Sequence, residues 1–425
     1  MKQIIFASGV MLGLAAIAVG CSRADQAVKA PPATSPAPLV IANPVEHVGL
    51  RAREPMVVEH PDGTLFLAGY GEPVPTLWTS PDQGATWTSV NVGTAAAGAI
   101  GNSDVDLAIA PNGTLYFVAM VYDRKANEGT HISIGVSKDV GATWSWTLLS
   151  KTRFDDRPWV EVAPDGTPHV IWNDGGGVCH AVSRDHGITW TELARINPEG
   201  GSSHLAIGPN GEIAVRLIPL SASGNKIHRG VDLVAVSSDG GNTWQKHAAP
   251  GQRDWIFPLS DDDPLPRWVE PIAWDARGDL YSLWSNPQGL WLARSDDHGA
   301  KWTSWRVVEG KDVMYFPYLA ARGPGELAAT WFSGPIATLQ AHVARFDASV
   351  RDVAPRVTEA PPFRPDSWRP VRASDTVPPA RDPAGEYLPV MFLKRGGLAV
   401  VSPIQDEAAK RVGFSWWKID QAAHR

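Results

Sequence analysis

The sequence has little cysteine, no excess of basic residues, and none of the compact motifs that mark metal- or phosphate-binding enzymes. Its 425 residues include only two cysteines, and 38 Lys and Arg against 45 Asp and Glu give a formal net charge of −7. This balance argues against a nucleic-acid partner, because nucleic-acid binding requires a basic face. Cys and His residues with zinc spacing, a glycine-rich phosphate loop and a G-x-S-x-G elbow are all missing from the sequence. We therefore predict no metal and no cofactor.

The two cysteines, Cys21 and Cys179, cannot form a disulfide framework for a chain of this length. Cys179 precedes His180, but adjacent residues of a strand face opposite sides, so the two side chains would not form a nucleophile pair. We expect Cys179 to be a buried structural residue.

The N-terminus combines Met1-Lys2 with an apolar run from Ile4 to Val19 and small residues before Cys21. This pattern predicts a secretory signal peptide over residues 1–20. Gly20-Cys21 resembles a bacterial lipoprotein box, which implies acylation of Cys21, with residues 21–38 as a flexible tether. The expected location is then the cell envelope, at the outer membrane or in the periplasm, with only the lipid anchor touching the membrane. The alternative is an ordinary signal peptide with an incidental cysteine.

One eight-residue pattern, S-x-D-x-G-x-T-W, occurs five times and is called the octet here. The five copies begin at Ser80, Ser137, Ser183, Ser237 and Ser295. Their central aspartates are separated by 57, 46, 54 and 58 residues, which indicates a repeat architecture with units of roughly 50 residues. The fifth copy has Lys301 in place of the threonine.

The chemistry of the octet is that of a turn held by its own side chains. The aspartate can accept hydrogen bonds from backbone N–H groups and from the Ser and Thr hydroxyls, and the glycine permits a positive φ. We therefore expect structural roles for the five central aspartates: Asp82, Asp139, Asp185, Asp239 and Asp297.

A hairpin turn followed by an apolar strand precedes each octet, and weaker copies of the turn at Gly325 and Gly397 bring the number of turns to seven. Units of four antiparallel strands arranged radially make a β-propeller. The predicted fold is all-β, a single propeller over residues 39–425 with seven blades, or six if one weak unit is an elaboration. Leu39–Ala42 is expected to close the ring by pairing near Phe414–Ile419.

The first strand of each propeller blade lines the central channel, so residues at the start of these strands crowd one mouth. Arg53, Arg157 and Arg267 occupy similar places in blades one, three and five. Convergent arginines favour an anionic ligand, and the guanidinium fork fits a carboxylate. The alternative is that each arginine pairs with a neighbouring carboxylate as a structural contact. Asp106 and His204 lie at the start of the first strands of two other blades and are further candidates for substrate binding.

The octets resemble the Asp-box, or BNR, repeats of the sialidase superfamily over Arg53 to Trp302. Arg53-Glu54-Pro55 is similar to the family's Arg-Ile-Pro signature, although Glu54 replaces the isoleucine. The resemblance implies an exported, monomeric glycosidase acting on a carboxylate-bearing sugar. In this interpretation Arg53, Arg157 and Arg267 bind the carboxylate, and Tyr318 or Tyr315 is the nucleophile with Glu270 as its base. Asp156 or Asp106 is then the general acid.

Two departures and two alternative functions stand beside this interpretation. Trp284-Ser285-Asn286 lies where the family has an arginine, and the segment between the first turn and the first octet contains no aspartate. The chain could instead be a non-catalytic glycan-binding or assembly propeller, with Trp159, Trp172 and Trp268 as exposed platforms. It could also be a polysaccharide lyase, in which His204 and a tyrosine remove the proton alpha to a uronate carboxylate.

Overall fold

Short apolar runs separated by tight turns pair into antiparallel hairpins along the whole chain. The computed structural model describes residues 37–221, 226–252, 269–310, 314–334, 340–365, 387–406 and 410–422. The described residues form 29 strands in seven antiparallel sheets, and these sheets belong to one compact unit of residues 37–425. Neighbouring sheets contact each other through their inner strands around a closed ring. The fold is a β-propeller with seven blades, as predicted, rather than six.

Two N-terminal strands close the ring by completing blade seven. These are β1 (Leu39–Ile41) and β2 (Val45–Val48). The strands of blades one to four follow in chain order: β3 (Arg53–Glu59), β4 (Leu65–Tyr70), β5 (Thr76–Ser80), β6 (Thr88–Ser89), β7 (Ser103–Ile109), β8 (Leu115–Asp123), β9 (Glu128–Ser137), β10 (Ser145–Ser150), β11 (Asp156–Val162), β12 (Pro168–Asp174), β13 (Gly177–Val182), β14 (Thr191–Glu192), β15 (Gly201–Ile207), β16 (Ile213–Ile218), β17 (Leu233–Ser237) and β18 (Gln245–Ala248).

Blades five to seven have the same antiparallel order, with the innermost strand first. Their strands are β19 (Ile272–Trp274), β20 (Leu280–Asn286), β21 (Gly289–Ser295), β22 (Thr303–Glu309), β23 (Met314–Ala321), β24 (Glu326–Ser333), β25 (Gln340–Asp347), β26 (Arg356–Glu359), β27 (Val390–Phe392), β28 (Leu398–Asp406) and β29 (Arg411–Gln421). A 3-10 turn, Ala95–Ala97, lies between blades one and two.

The ring closes where the sequence predicts, with one difference in register. Ile41 pairs with Ile419, and the strand at Leu39–Ile41 continues the pairing to Gln421. The partner segment is therefore shifted toward the C-terminus, while Val45–Val48 pairs with the part of β29 around Phe414. Both contacts join the two ends of the propeller in one sheet, which covers the outer edge of β29.

Each octet forms a turn between the third and fourth strands of its blade. In the first copy, the Ser80 hydroxyl and the Thr86 N–H donate to Asp82 Oδ1 at 2.8 and 2.9 Å, and the Thr86 hydroxyl donates to Oδ2 at 2.6 Å. In the fifth copy Asp297 accepts bonds from Ser295 and from the Lys301 N–H, without the hydroxyl bond that the other copies have. The same side-chain and backbone bonds from Thr189, with the Ser183 hydroxyl, lower the pKa of Asp185 to about 2.

Tryptophans of the octets and of the closing strand pack between neighbouring blades. Trp87 contacts Phe414 and Trp416 edge to face, each at a ring-centroid distance of 5.3 Å. Gly84 has φ 86°, and a Cβ atom there would lie 2.0 Å from Trp416 Nε1, so only glycine fits this turn. Cys179 is buried in the third strand of blade three, as predicted, and burial raises the pKa of its thiol.

None of the residues that the structure describes belongs to a helix long and apolar enough to cross a membrane.

Candidate functional site

The inner strands of blades one, three and six begin with the same irregular feature. A β-bulge there contains a residue with left-handed backbone that is followed by proline: Glu54 (φ 40°) before Pro55, Arg157 (φ 48°) before Pro158, and Phe316 (φ 46°) before Pro317. Non-glycine residues rarely adopt this conformation, and each instance costs about 1–3 kcal/mol that the surrounding structure must offset. Because a bulge re-aims the side chains around it, the feature shapes one mouth of the central channel. We call this end the axial mouth.

Just past these bulges, side chains from five different blades meet across the channel. The ring of Trp159 lies 4.8 Å from the His204 ring and 5.4 Å from the Tyr387 ring, measured between centroids. The Tyr318 ring lies 5.6 Å from His204 at an interplanar angle of 88°, and its hydroxyl is 3.8 Å from Met56 Sδ. These five residues come from blades one, three, four, six and seven and form the floor of the axial mouth. We call them the axial cluster.

His204 and Tyr318 are the titratable members of the axial cluster that remain partly accessible to solvent, whereas the third, Tyr387, is buried. Burial lowers the pKa of His204 to about 4, so its imidazole is neutral at pH 7. Burial raises the pKa of Tyr318, and the nearby Asp106 and Glu161 carboxylates raise it further, so its phenol stays protonated. The cluster therefore holds a neutral imidazole, able to accept a proton, in contact with a phenol that can donate one.

Two carboxylates lie beside this pair on the inner strands of blades two and three. Asp106 accepts hydrogen bonds from the N–H groups of Val160 and Leu107, each at 2.9 Å, and so links the two blades. Burial raises the pKa of Asp106 well above its usual range, and the Val160 bond partly opposes this effect. Glu161 follows Trp159 by two residues and so shares its side of the strand. Water reaches Glu161, but the surrounding strands remove much of its hydration and raise its pKa to about 7.

Asp156 and Arg157 lie at the rim of the axial mouth. Arg157 Nε is 4.0 Å from Asp156 Oδ2. Burial raises the pKa of Asp156 to about 6, with Arg157 opposing and Asp104 adding to the shift. Asp156 and Asp104 also contribute to the raised pKa of Tyr122, which places that phenol at the same rim. The rim thus combines a cation with a carboxyl group that titrates near neutral pH.

Arg53 and Tyr315, two further residues predicted for the site, pack against aromatic rings of the protein. The Arg53 guanidinium lies 5.5 Å from the centre of the Tyr70 ring on the next strand. Tyr315 is buried against Phe316, and burial raises its pKa. Arg267, Trp268 and Cys21 lie outside the described residues.

Glu270 lies in a buried ionic cluster between blades four and five. The fully buried Arg216 donates to the carboxylates of both Glu270 and Asp232 and to the backbone carbonyl of Leu217. The Ser203 hydroxyl donates to the backbone carbonyl of Glu270 at 3.0 Å. Glu270 thus forms an ion pair with Arg216, which was not among the predicted site residues. Glu270 is also not among the carboxylates that raise the pKa of Tyr318, which are Asp106 and Glu161.

Trp159 and Trp172 are 3 % and 1 % exposed. The alternative in which these two side chains form exposed binding platforms is wrong, because Trp159 packs against His204 and Tyr387, and Trp172 packs between blades two and three. Among the residues described, no three His, Cys, Asp or Glu side chains are grouped so as to hold a metal ion.

Comparison with known proteins gives a likeness in fold. No family model matches the chain, and no curated protein matches it. A GH93 alpha-L-arabinofuranosidase of Fusarium graminearum in complex with arabinobiose is similar over 90 % of this chain and 98 % of its own, at 13 % identity and a TM-score of 0.50. A catalytically inactive virginiamycin B lyase from Staphylococcus aureus with quinupristin is similar over 90 % of this chain and all of its own, at 11 % identity and a TM-score of 0.51. At such low identity the likeness shows that the chain shares the β-propeller fold of these enzymes.

Proposed function

We propose that the protein is a carbohydrate-active enzyme that cleaves a carboxylate-bearing glycan in its axial mouth by β-elimination. His204 is the base and Tyr318 is the acid. The observation that carries this proposal is the edge-to-face contact of the two rings at 5.6 Å, with the imidazole neutral and the phenol protonated. This contact lies just past the bulges that begin the inner strands, and both rings remain partly accessible to solvent from that end of the channel.

The proposed reaction uses only groups of the axial mouth and the substrate. The neutral imidazole of His204 takes the proton from the carbon alpha to the uronate carboxylate. A carbon–carbon double bond forms as the bond to the leaving glycosidic oxygen breaks, and the Tyr318 hydroxyl donates its proton to that oxygen. Because the resulting imidazolium and phenolate lie in ring contact, proton return between them restores both groups. Arg157 and Arg53 at the rim supply positive charge toward the substrate carboxylate.

Structural neighbours support the proposal only at the level of fold. One is an arabinofuranosidase bound to arabinobiose and the other is a lyase, so this propeller shape accommodates both glycan cleavage and lyase chemistry. A shared fold does not fix the reaction, which must be argued from the residues of the site.

Hydrolysis of the same class of glycan by a sialidase-like route is the second candidate, and one observation favours it. The pKa of Asp156 is raised to about 6, which suits a general acid near neutral pH. In this route Tyr318 or Tyr315 is the nucleophile, Glu270 is its base, and Arg53, Arg157 and Arg267 bind the carboxylate. One feature favours elimination over this route: the buried Arg216 already holds the Glu270 carboxylate, which would have to act as the base.

Absorbance and reducing-end assays distinguish the two routes. The full chain is incubated with a panel of uronate polymers, and ultraviolet absorbance of the unsaturated product is measured beside the number of new reducing ends. We expect both signals to rise together and to fall by about 10²–10⁴-fold in His204→Gln and Tyr318→Phe. Tyr116→Phe is the matched control, because it removes a buried hydroxyl without a hydrogen-bond partner from the core of blade two. New reducing ends without ultraviolet absorbance would favour hydrolysis, and neither signal on any polymer would contradict the enzymatic proposal.

We also propose that the protein is exported and acts as a monomer, anchored to the cell envelope by a lipid on Cys21. The support is the lipoprotein-box resemblance at Gly20-Cys21. The wild-type chain is expected in the membrane fraction with a modified N-terminus, and Cys21→Ser is expected in the soluble fraction or unprocessed. Wild-type protein recovered soluble, with an unmodified N-terminus, would contradict the anchor.

A further inference from the structure

A second concave site lies between blades three and four, at the end of the propeller opposite the axial mouth. It has a volume of about 440 Å³. Its walls are the hairpin turn 163–167 of blade three, the corresponding turn 209–211 of blade four, and the octet turn 238–240. These turns join first to second and third to fourth strands, whereas the axial mouth lies where the first strands begin. We call this site the blade 3–4 cleft.

Among the described residues of the cleft wall, Arg184 is the only basic side chain with a permanent charge. Within the described part of the chain, its guanidinium forms no hydrogen bond or ion pair with another protein group. The contrast is Arg195 of the same blade, which is committed to Asp174 through two hydrogen bonds. Arg184 occupies a variable position of its octet, so its side chain is not required by the turn.

Both carboxylates of the cleft are fixed by their own turns. Asp165 accepts a hydrogen bond from the Thr167 N–H at 2.9 Å, and Asp239 accepts bonds from Ser237 and Thr243. With Arg184, the permanent charges of the wall sum to −1. This balance does not select an anion. The cleft wall therefore combines two carboxylate acceptors, which their own turns hold in place, with the uncommitted donor Arg184.

The rest of the wall is neutral. His169 is 2 % exposed and is joined to His180 by a 3.0 Å contact between Nδ1 and Nε2. Burial lowers the pKa of His169 to about 4, so its ring is uncharged at neutral pH. Pro164 and Pro209 add rigid apolar faces from the two hairpin turns. Acceptors, a forked donor and small apolar faces in a cleft of this size suit the hydroxyls and C–H face of a sugar ring.

We propose that the blade 3–4 cleft is a second carbohydrate-binding site, which recognises the hydroxyl groups of one or two sugar residues rather than a carboxylate. Arg184 donates to sugar hydroxyl oxygens, and Asp165 accepts from sugar hydroxyl groups. This inference rests on the proposed function in one respect, which is that the glycan to be tested is a uronate polymer or its oligosaccharides. A polymer held at this site raises the effective concentration of its other segments near the protein.

The test is an array of galacturonate, glucuronate and mannuronate oligosaccharides, each printed beside its carboxyl-reduced form and probed with the full chain. We expect binding to at least one carboxyl-reduced oligosaccharide. Arg184→Ala and Asp165→Asn are expected to lower that affinity by about tenfold, the loss of one charge-assisted hydrogen bond. Asp165→Asn keeps the acceptor for Thr167, so the turn is retained. Lys138→Ala, at the equivalent octet position of blade two, is the matched control and is expected to bind as the wild type does.

The outcomes separate this proposal from that for the axial mouth. Arg184-dependent binding without turnover of any polymer would leave the cleft site standing and contradict only the enzymatic proposal. Turnover with no binding to any carboxyl-reduced form, or with binding unchanged in Arg184→Ala and Asp165→Asn, would overturn the cleft site alone. His204→Gln is expected to abolish turnover and to leave the cleft's binding unchanged.

Discussion

Replacing Glu270 by alanine is expected to destabilise the fold strongly, because Glu270 is one of two carboxylates that compensate a fully buried arginine. Arg216 has no solvent-exposed side-chain surface, and its guanidinium donates to Glu270, to Asp232 and to a backbone carbonyl. Glu270 is itself only 3 % exposed. The alanine variant therefore leaves a buried guanidinium with one carboxylate in place of two, and a cavity beside it.

The magnitude follows from the cost of breaking a buried pair by removing one partner, about 3–5 kcal/mol. Because Asp232 stays in place, we expect the lower end of this range, about 3 kcal/mol, for Glu270→Ala. Glu270→Gln keeps an acceptor oxygen for Arg216 and loses only the charge, so a smaller loss of about 1–2 kcal/mol is expected. Glu309→Ala, which removes an exposed carboxylate of blade five, is the control and should cost less than about 0.5 kcal/mol.

Urea unfolding followed by tryptophan fluorescence measures these free energies through the shift in midpoint at constant slope. The expected order of stability is wild type and Glu309→Ala, then Glu270→Gln, then Glu270→Ala. If Glu270→Ala unfolded at the wild-type midpoint while turnover fell by two orders of magnitude, the structural role would be refuted. Glu270 would then serve as the base that the sialidase resemblance implies.

The remaining predictions concern the fifth octet and the axial channel. Lys301→Thr restores the hydroxyl donor that Asp297 lacks. We expect the free energy of unfolding, measured in urea, to rise by about 0.5 kcal/mol. An unchanged free energy would show that this bond contributes nothing at an exposed turn. Glu161 has its pKa raised from 4.5 to about 7 in the folded protein, so its stabilising contribution is complete below pH 4.5 and is lost as pH rises through about 7. Melting temperatures measured across that interval should therefore fall less steeply for Glu161→Gln than for the wild type, and parallel curves would contradict the shift.

Local features of the fold could be predicted from the sequence because each is decided by a few adjacent residues. Asp82, Gly84 and Trp87 define one turn and one packing contact within six residues, and the same spacing recurs in the other octets. The number of blades followed from counting hairpin turns, including the weak ones at Gly325 and Gly397. The closing strand was predicted from the short apolar run Leu39–Ala42, which was expected to pair with the last blade.

Contacts between distant strands could not be predicted in this way. Arg216 and Glu270 are 54 residues apart, and neither occupies a repeated position from which their contact could be predicted. The role of Asp106 as acceptor for the Val160 N–H depends equally on how two blades pack.

The orientation of the axial cluster depends on bulges that the octet pattern does not reveal. A bulge changes which side of the strand faces the channel, and Glu161, which follows the bulge of blade three, was not among the predicted site residues. The sequence does contain a signal for these bulges. Proline follows the left-handed residue in three inner strands, at Pro55, Pro158 and Pro317, and this recurrence marks the mouth as clearly as the octets mark the opposite end.

The most direct measurement of the central claim is cleavage of the uronate polymer in water enriched in oxygen-18. Elimination breaks the glycosidic bond without adding water, so products released by the wild-type chain are expected to carry no label from the cleavage step. They are expected to be lighter than hydrolysis products by one water. Each cleavage would add one labelled oxygen if the axial mouth were a hydrolase. Labelled products that disappear in Tyr318→Phe would contradict the acid–base roles assigned to His204 and Tyr318 and would establish the hydrolytic route.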